Sequence, residues 1–227
     1  MLLATLARME IEAIGPLIQK ISLWAMPILL AVVLHELAHG YVAFRLGDPT
    51  AARAGRLTLN PLAHVDIFGT VLLPLMLLFV GSPFLFGYAK PVPVNFMNLR
   101  NPRRDMVLVA LAGPLTNLTL AGLSALALNS LLSLQVSDGF LGSNLAIVAR
   151  MAQYSVLINV GLAVFNLLPV PPLDGGRVAT GLLPRSPALA LARLEPYGML
   201  IILALLMTGV LDQILRPMAL LLLQALL

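Results

Sequence analysis

The sequence predicts an all-α polytopic membrane protein with about five to six membrane segments, one of them re-entrant, and a short membrane-associated β-strand or hairpin. Three observations carry this expectation. Hydrophobic residues make up 59% of the 227 and charged residues only 11%, where a soluble domain carries roughly 25% charged residues. The apolar residues gather into runs of about membrane length. Between them stand two polar stretches, "GDPTAARAGRLTLNPLAHVD" and "GYAKPVPVNFMNLRNPRRD", whose glycines and prolines interrupt helix.

A chain of this length and composition reads as a single membrane domain. Residues 1–19 carry Arg8, Glu10 and Glu12 among apolar positions at helical spacing and suit a surface amphipathic helix. No small-residue cleavage site follows the apolar stretch after Lys20, which argues against a removed signal peptide. The membrane core spans 20–211, with apolar segments over about 20–46, 67–87, 105–134, 145–169 and 195–211. A short helix over 212–227, interrupted by Arg216-Pro217, lies at the interface or barely crosses. In the first polar stretch, turn residues flank "RLTL" at 56–59, which reads as a strand or hairpin. The second is extended along the membrane surface until Asp105 opens the next helix.

The net charge of +4 does not point to nucleic acid, because the basic residues sit between apolar runs where topology already explains them. The chain has no cysteine, so disulfides and thiolate metal sites are excluded. A metal would have to use His, Asp or Glu.

Such residues occur where they are least expected. "VLHELAHGYV" continues the apolar run "ISLWAMPILLAVV", and a charged group at membrane depth costs at least ~2.5 kcal/mol. On a helix His35 and His39 share a face, so both rings can address one cation while Glu36 reaches a water beside it. A catalytic zinc site takes a third protein ligand and keeps one position open. The positions that would hold the metzincin glycine and third histidine are Val42 and Arg45, and no glutamate occurs between Glu36 and Glu195. His64, Asp66, Asp174 and Glu195 remain as candidates. Asp174 is favoured by its setting in "FNLLPVPPLDGGR", where Pro169, Pro171 and Pro172 end an apolar helix and Gly175-Gly176 allow close backbone approach. Irregular backbone at membrane depth is tolerated where it lines a polar cavity. Asp174 could also cap the helix that follows. His64 and Asp66 suit a structural or substrate-side role, Asn117 a helix-packing hydrogen bond, and Gly113-Pro114 close helix contact.

Together, "HELAH", "LAGPLTN" and "FNLLPVPPLDGGR", in this order, resemble the site-2 protease family of intramembrane zinc metalloproteases. "RLGDPTAARAGRLTLNPLAHVDIFGT" and "KPVPVN" look like its small prokaryotic branch without PDZ or CBS domains. The resemblance covers about residues 30–185. It implies one zinc ion per chain held by His35, His39 and Asp174, Glu36 as general base, and Asn166 as transition-state stabiliser. It implies single-span membrane-protein substrates cut in or near the bilayer of a prokaryotic cell (inner) membrane, and the distribution of basic residues puts the active site toward the cytoplasm. A metal transporter would spread its ligands along a path through several helices, and an inactive relative would be expected to have lost Glu36.

The re-entrant reading of 67–87, with its turn near Pro74, follows from depth and charge. His35 and His39 lie roughly 9–15 Å before the end of their helix at 1.5 Å per residue. A full crossing by 67–87 would put Asp174 on the opposite face. Re-entry also gathers Arg45, Arg53, Arg56, Lys90, Arg100, Arg103, Arg104, Arg177, Arg185 and Arg193 on one side, against Arg8, Lys20, Arg150 and Arg216. The positive-inside rule makes the richer side cytoplasmic.

Overall fold

The computed structural model describes residues 2–80, 87–134 and 140–227. Helix α1 runs unbroken over Leu2–Arg45, about 66 Å at 1.5 Å per residue, so the expected surface helix over 1–19 continues into the span without a break. A short α2 (Thr50–Arg53) and a 3-10 turn (Pro61–His64) follow. Next come a π-helical turn (Ile67–Leu72) and α3 (Leu73–Phe79). The remaining helices are α4 (Pro102–Ser133), α5 (Phe140–Asn166), α6 (Asp174–Leu182), α7 (Arg185–Ala192), α8 (Gly198–Met207) and α9 (Val210–Leu226).

Among the described residues four helices are long and apolar enough to cross a membrane, Ser22–Arg45, Pro102–Ser133, Leu141–Asn166 and Arg185–Met207. Long apolar side chains such as Leu30, Leu126 and Leu200 are exposed on their outer faces, the arrangement a lipid solvent favours. The inner faces carry small and β-branched residues. Ala121, Ala125, Val156, Val160 and Val164 form a buried seam between α4 and α5, where short side chains let helices approach without a hydrophobic driving force. Against this seam α9 lays Leu215, Ala219, Leu222, Leu223 and Leu226, one stripe at helical period. Gly209, with φ +73, supplies the left-handed residue that turns α8 into α9.

Four of the expected five to six segments are thus found among the described residues; the helical part of 67–80 is too short for a span and α9 has only 17 residues. The backbone is helical from Ile67 through Phe79, so Pro74 does not make a turn. It sits eighth in this continuous helical run, where it removes one main-chain donor, and the π-helical turn just before it is the local departure from α-helical bonding. Residues 81–86 of the segment expected to be re-entrant lie outside the described residues.

No strand is present among the described residues. Residues 56–59 lie beside 90–92 but are joined to them through a side chain: Arg56 Nη2 donates to the Lys90 carbonyl at 2.8 Å. Pro91 and Pro93 lack the N–H groups that a regular ladder between these two stretches would require.

The excursion over 47–100 is closed on itself. Arg100 N donates to Leu46 O at 3.1 Å, Tyr88 N to Gly69 O at 3.0 Å and Lys90 N to His64 O at 2.9 Å. Asp48, fully buried, ties the base of this excursion. Its carboxylate accepts from Asn95 N at 2.7 Å, Asn98 Nδ2 at 2.9 Å, and both the hydroxyl and the amide of Thr50. Burial alone would raise its pKa. The hydrogen bonds from Thr50, Asn98 and Asn95 outweigh burial and hold it below the usual carboxylate range. A depressed folded-state pKa stabilises the fold above the unfolded value of roughly 4, and that stabilisation is lost as pH falls through the lower folded value. Asp48→Asn, which turns an amide toward donors, is expected to lower the melting temperature in detergent by several degrees at pH 7. The gap from wild type should narrow below pH ~4. Equal melting at pH 7 would refute the assignment.

Candidate metal centre

Three buried side chains from two helices converge. One helical turn apart on α1, His35 and His39 have their Nε2 atoms 3.0 Å from each other, and Asp174 Oδ2 lies 3.2 Å from both. Asp174 is the first residue of α6, and Leu173, not Asp174, occupies the cap position. The capping alternative is therefore not the arrangement found, although a carboxylate in a first helical turn is also favoured by the helix dipole.

The far side of each ring fixes its tautomer. His39 Nδ1 is 2.7 Å from the Val109 carbonyl, which can only accept, so Nδ1 carries the proton and Nε2 the lone pair. His35 Nδ1 is 2.5 Å from Asn117 Oδ1, with the same result. The 3.0 Å approach of the Nε2 atoms is then no hydrogen bond between neutral rings. It is two lone pairs facing each other, joined by a carboxylate oxygen that has no hydrogen-bond partner. One added proton could bridge only one pair of these atoms. A cation satisfies all three. A tetrahedral ion with bonds of about 2.0–2.1 Å sets its donors roughly 3.3 Å apart, close to the spacing observed. Among the described residues this is the only such group of His, Cys, Asp or Glu with facing ligand atoms.

Space for the ion is kept by Gly113 of α4. A Cβ at this position would strike Nε2 of His39 and of His35, so "AGPLTN" contributes a missing side chain as well as Asn117. Asp174 is brought close by backbone contact of the same kind. A Cβ on Gly175 would meet the carbonyls of Leu167 and Leu168, so the 167–173 segment folds back directly on the start of α6.

The three atoms open into a cavity of about 370 Å³, also lined by Glu36, Asn166, Tyr88, Val92, Arg177 and Met199. Glu36 is oriented by the excursion: Val92 N donates to its Oε2 at 2.7 Å. Asn166 reaches the cavity while its Nδ2 donates to Leu162 O at 3.0 Å, which leaves one amide hydrogen uncommitted. The other candidate ligands lie elsewhere. His64 is buried and its Nε2 bonds the Thr58 carbonyl at 3.0 Å. Asp66 caps the following helical turn through Gly69 N at 2.7 Å, and Glu195 is exposed in a 3-10 turn.

Comparison with known proteins agrees with this geometry. Residues 23–209 match the model of peptidase family M50. The chain belongs to family M50, the site-2 protease family. YwhC of Bacillus subtilis, named provisionally as a zinc metalloprotease, is 38% identical over 193 residues, 84% of this chain and 83% of its own. Two proteins named Rip2, with the same provisional description, are 31% identical in Mycolicibacterium smegmatis and 32% in Mycobacterium tuberculosis H37Rv. The alignments cover 88% and 87% of this chain, and 71% and 70% of theirs. No solved structure matches. Within the M50 chain, sequence reasoning overlooked the amide of Val92 and the side chain of Asn159, which stands behind Asn117. Asn159 is a lone amide in the apolar run "VLINVGLAVF", a signal of the kind that marks interhelical hydrogen bonds.

Gly113→Ala is expected to lower zinc content to near background in the purified, folded protein. His35→Ala, His39→Ala and Asp174→Ala should do the same, whereas His64→Ala should retain zinc. Elemental analysis after gel filtration measures this, and full occupancy in Asp174→Ala with loss in His64→Ala would move the third ligand.

Proposed function

We propose that this M50 chain is an intramembrane zinc metalloprotease that hydrolyses peptide bonds in or near the transmembrane segment of single-span membrane proteins. The observation that carries the reading is the convergence of three buried lone-pair atoms at tetrahedral spacing beside a carboxylate, below the end of an apolar helix. His35, His39 and Asp174 would hold one zinc. Bound there, zinc supplies Lewis acidity and draws the pKa of water toward ~7.

The chain's own residues supply the rest. Glu36, adjacent to His35 and held by Val92 N, takes a proton from water in the cavity and returns it to the leaving amine. Asn166 offers its free amide hydrogen to the oxyanion that develops on the substrate carbonyl, a contact worth roughly 3–4 kcal/mol in other enzymes. The mostly apolar walls, among them Val32, Val109, Leu162, Phe165 and Ile202, suit an apolar substrate segment. A helical substrate would have to unwind locally to present a carbonyl.

The same reading places the site toward the cytoplasmic face of a prokaryotic cell membrane. Supporting it, Arg100 N bonds Leu46 O at the end of α1 and Tyr88 N bonds Gly69 O. Both ends of the excursion therefore meet, as a re-entrant segment over 67–87 requires, and this topology collects ten of the fourteen Lys and Arg on one side of the membrane.

Purified in detergent and mixed with candidate single-span substrates, the wild type is expected to yield two fragments of complementary mass. Glu36→Gln should keep its zinc and lose cleavage by about 10²–10⁴-fold, and Asn166→Ala should lose less. Near wild-type cutting by Glu36→Gln would refute this mechanism. Single cysteines at the exposed positions Ala54 and Met97, in a chain that has none of its own, are expected to be blocked by an impermeant thiol reagent from the cytoplasmic face only. Labelling of the two from opposite faces would overturn the re-entrant topology.

A further inference from the structure

Behind the metal centre a line of buried amides crosses three helices. Asn117 of α4 and Asn159 of α5 are 0% and 1% exposed. The line starts at the carbonyl of Ser155, which can only accept. Asn159 Nδ2 donates to it at 2.9 Å, so Asn159 turns its Oδ1 the other way, toward Asn117 Nδ2 at 2.8 Å. Asn117 Nδ2 also reaches the Ala31 carbonyl of α1 at 3.3 Å. With its nitrogen occupied by two acceptors, Asn117 can present only Oδ1 to His35, and His35 must answer with Nδ1–H.

Each amide can be turned end for end, so the polarity of such a line is a choice the protein makes. If Asn117 were reversed, its NH2 would face the proton of His35, and its Oδ1 would face Asn159 Oδ1 and the Ala31 carbonyl. A His35 ring that answered by moving its proton to Nε2 would have no lone pair for the cation. Two main-chain carbonyls anchor the polarity: that of Ala31 acts on Asn117 directly, at 3.3 Å, and that of Ser155 acts through Asn159, whose Oδ1 makes the shorter contact with Asn117 at 2.8 Å.

We propose that Asn159 is a positioning residue that acts through Asn117, fixing the tautomer and the ring plane of His35 so that its Nε2 lone pair addresses the metal. The inference rests on the reading of His35, His39 and Asp174 as metal ligands, and it assigns to α5 a part in a centre to which α5 gives no ligand. Partners of this kind behind a ligating histidine typically change metal affinity by about 10–100-fold.

The test is zinc affinity measured by competition with a chromophoric chelator, together with the visible spectrum of the cobalt-substituted protein. Asn159→Leu, close to the same volume but without an acceptor for Asn117, is expected to weaken zinc binding by about 10–100-fold and to alter the cobalt bands. Asn159→Asp presents a carboxyl oxygen to Asn117 and should bind within about threefold of wild type. Thr119→Val serves as a control, because it removes a hydroxyl two residues from Asn117 on α4 whose bond, Thr119 Oγ1 to Leu115 O at 2.8 Å, stays within that helix, and it should leave affinity and spectrum unchanged. Wild-type affinity in Asn159→Leu would overturn the proposal. So would a loss in Thr119→Val equal to that in Asn159→Leu, since any change of polarity near Asn117 would then be responsible. If Asn159→Leu does not fold, weakened binding in Asn159→Asp overturns it and retained binding supports it. A wild type that binds no zinc would instead refute the metal reading itself, and this proposal with it.

Discussion

Two imidazole nitrogens and a carboxylate oxygen held 3.0–3.2 Å apart away from water repel one another unless something positive lies between them. Much of the surrounding fold is arranged to keep them there. Because the rings sit at i and i+4 on a helix, their spacing is set by helical geometry. The carboxylate is brought to them by a proline-broken segment whose glycines admit backbone contact. Ring protons are directed outward by a carbonyl on one side and an amide on the other. The missing side chain of Gly113 leaves the volume in which the repulsion can be relieved.

A site of this polarity inside an apolar bundle creates a second demand. Each donor and acceptor behind the ligands must be matched without water, since an unmatched group in such surroundings costs about 1–3 kcal/mol or more. The bundle meets the demand with few residues. Asn117 bonds α1 and α5 as well as His35, and the Val109 carbonyl serves His39 next to buried, small Ala110. Between α4 and α5 the hydroxyls of Ser124 and Ser155 match each other at 2.8 Å, and the buried apolar seam is alanine and valine, which add no polar side-chain atoms.

Much of the centre is legible in the sequence because its determinants are local. The i, i+4 histidines need only a helix, and an apolar run of that length specifies one. Asp174 is legible because prolines and glycines around an acid at the end of an apolar run mark irregular backbone, which at membrane depth belongs beside a polar cavity. What cannot be read depends on contacts distant in the chain. Asn159 faces Asn117 across 42 positions and Val92 faces Glu36 across 56, and no periodicity encodes either pairing. A strand over 56–59 is expected from alternation, but alternation describes side chains, whereas a ladder needs N–H groups on the neighbour, and Pro91 and Pro93 remove two of them. Proline breaks helix interiors, which suggests a turn at Pro74, yet the backbone is helical on both sides of it, with a π-helical turn immediately before.

On the proposed reading, the ligands and the base are held by different parts of the fold. His35 and His39 are fixed by bonds from α4, and α5 supports them through Asn117. Glu36 takes its orientation from Val92, in the extended strip that Arg56 and Asp48 fasten at its two ends. The strip is joined to the bundle by a few hydrogen bonds and by Val94 and Phe96 packed against the buried cluster of Ala43, Leu99 and Val109, whereas the ligand-bearing helices are held from within the bundle. Loosening the strip would therefore disturb the base before it disturbed the ligands. In an M50 chain built this way, metal occupancy and turnover are separable quantities: the first is governed by the interior of the helical bundle, and the second also by a proline-rich strip laid across its mouth.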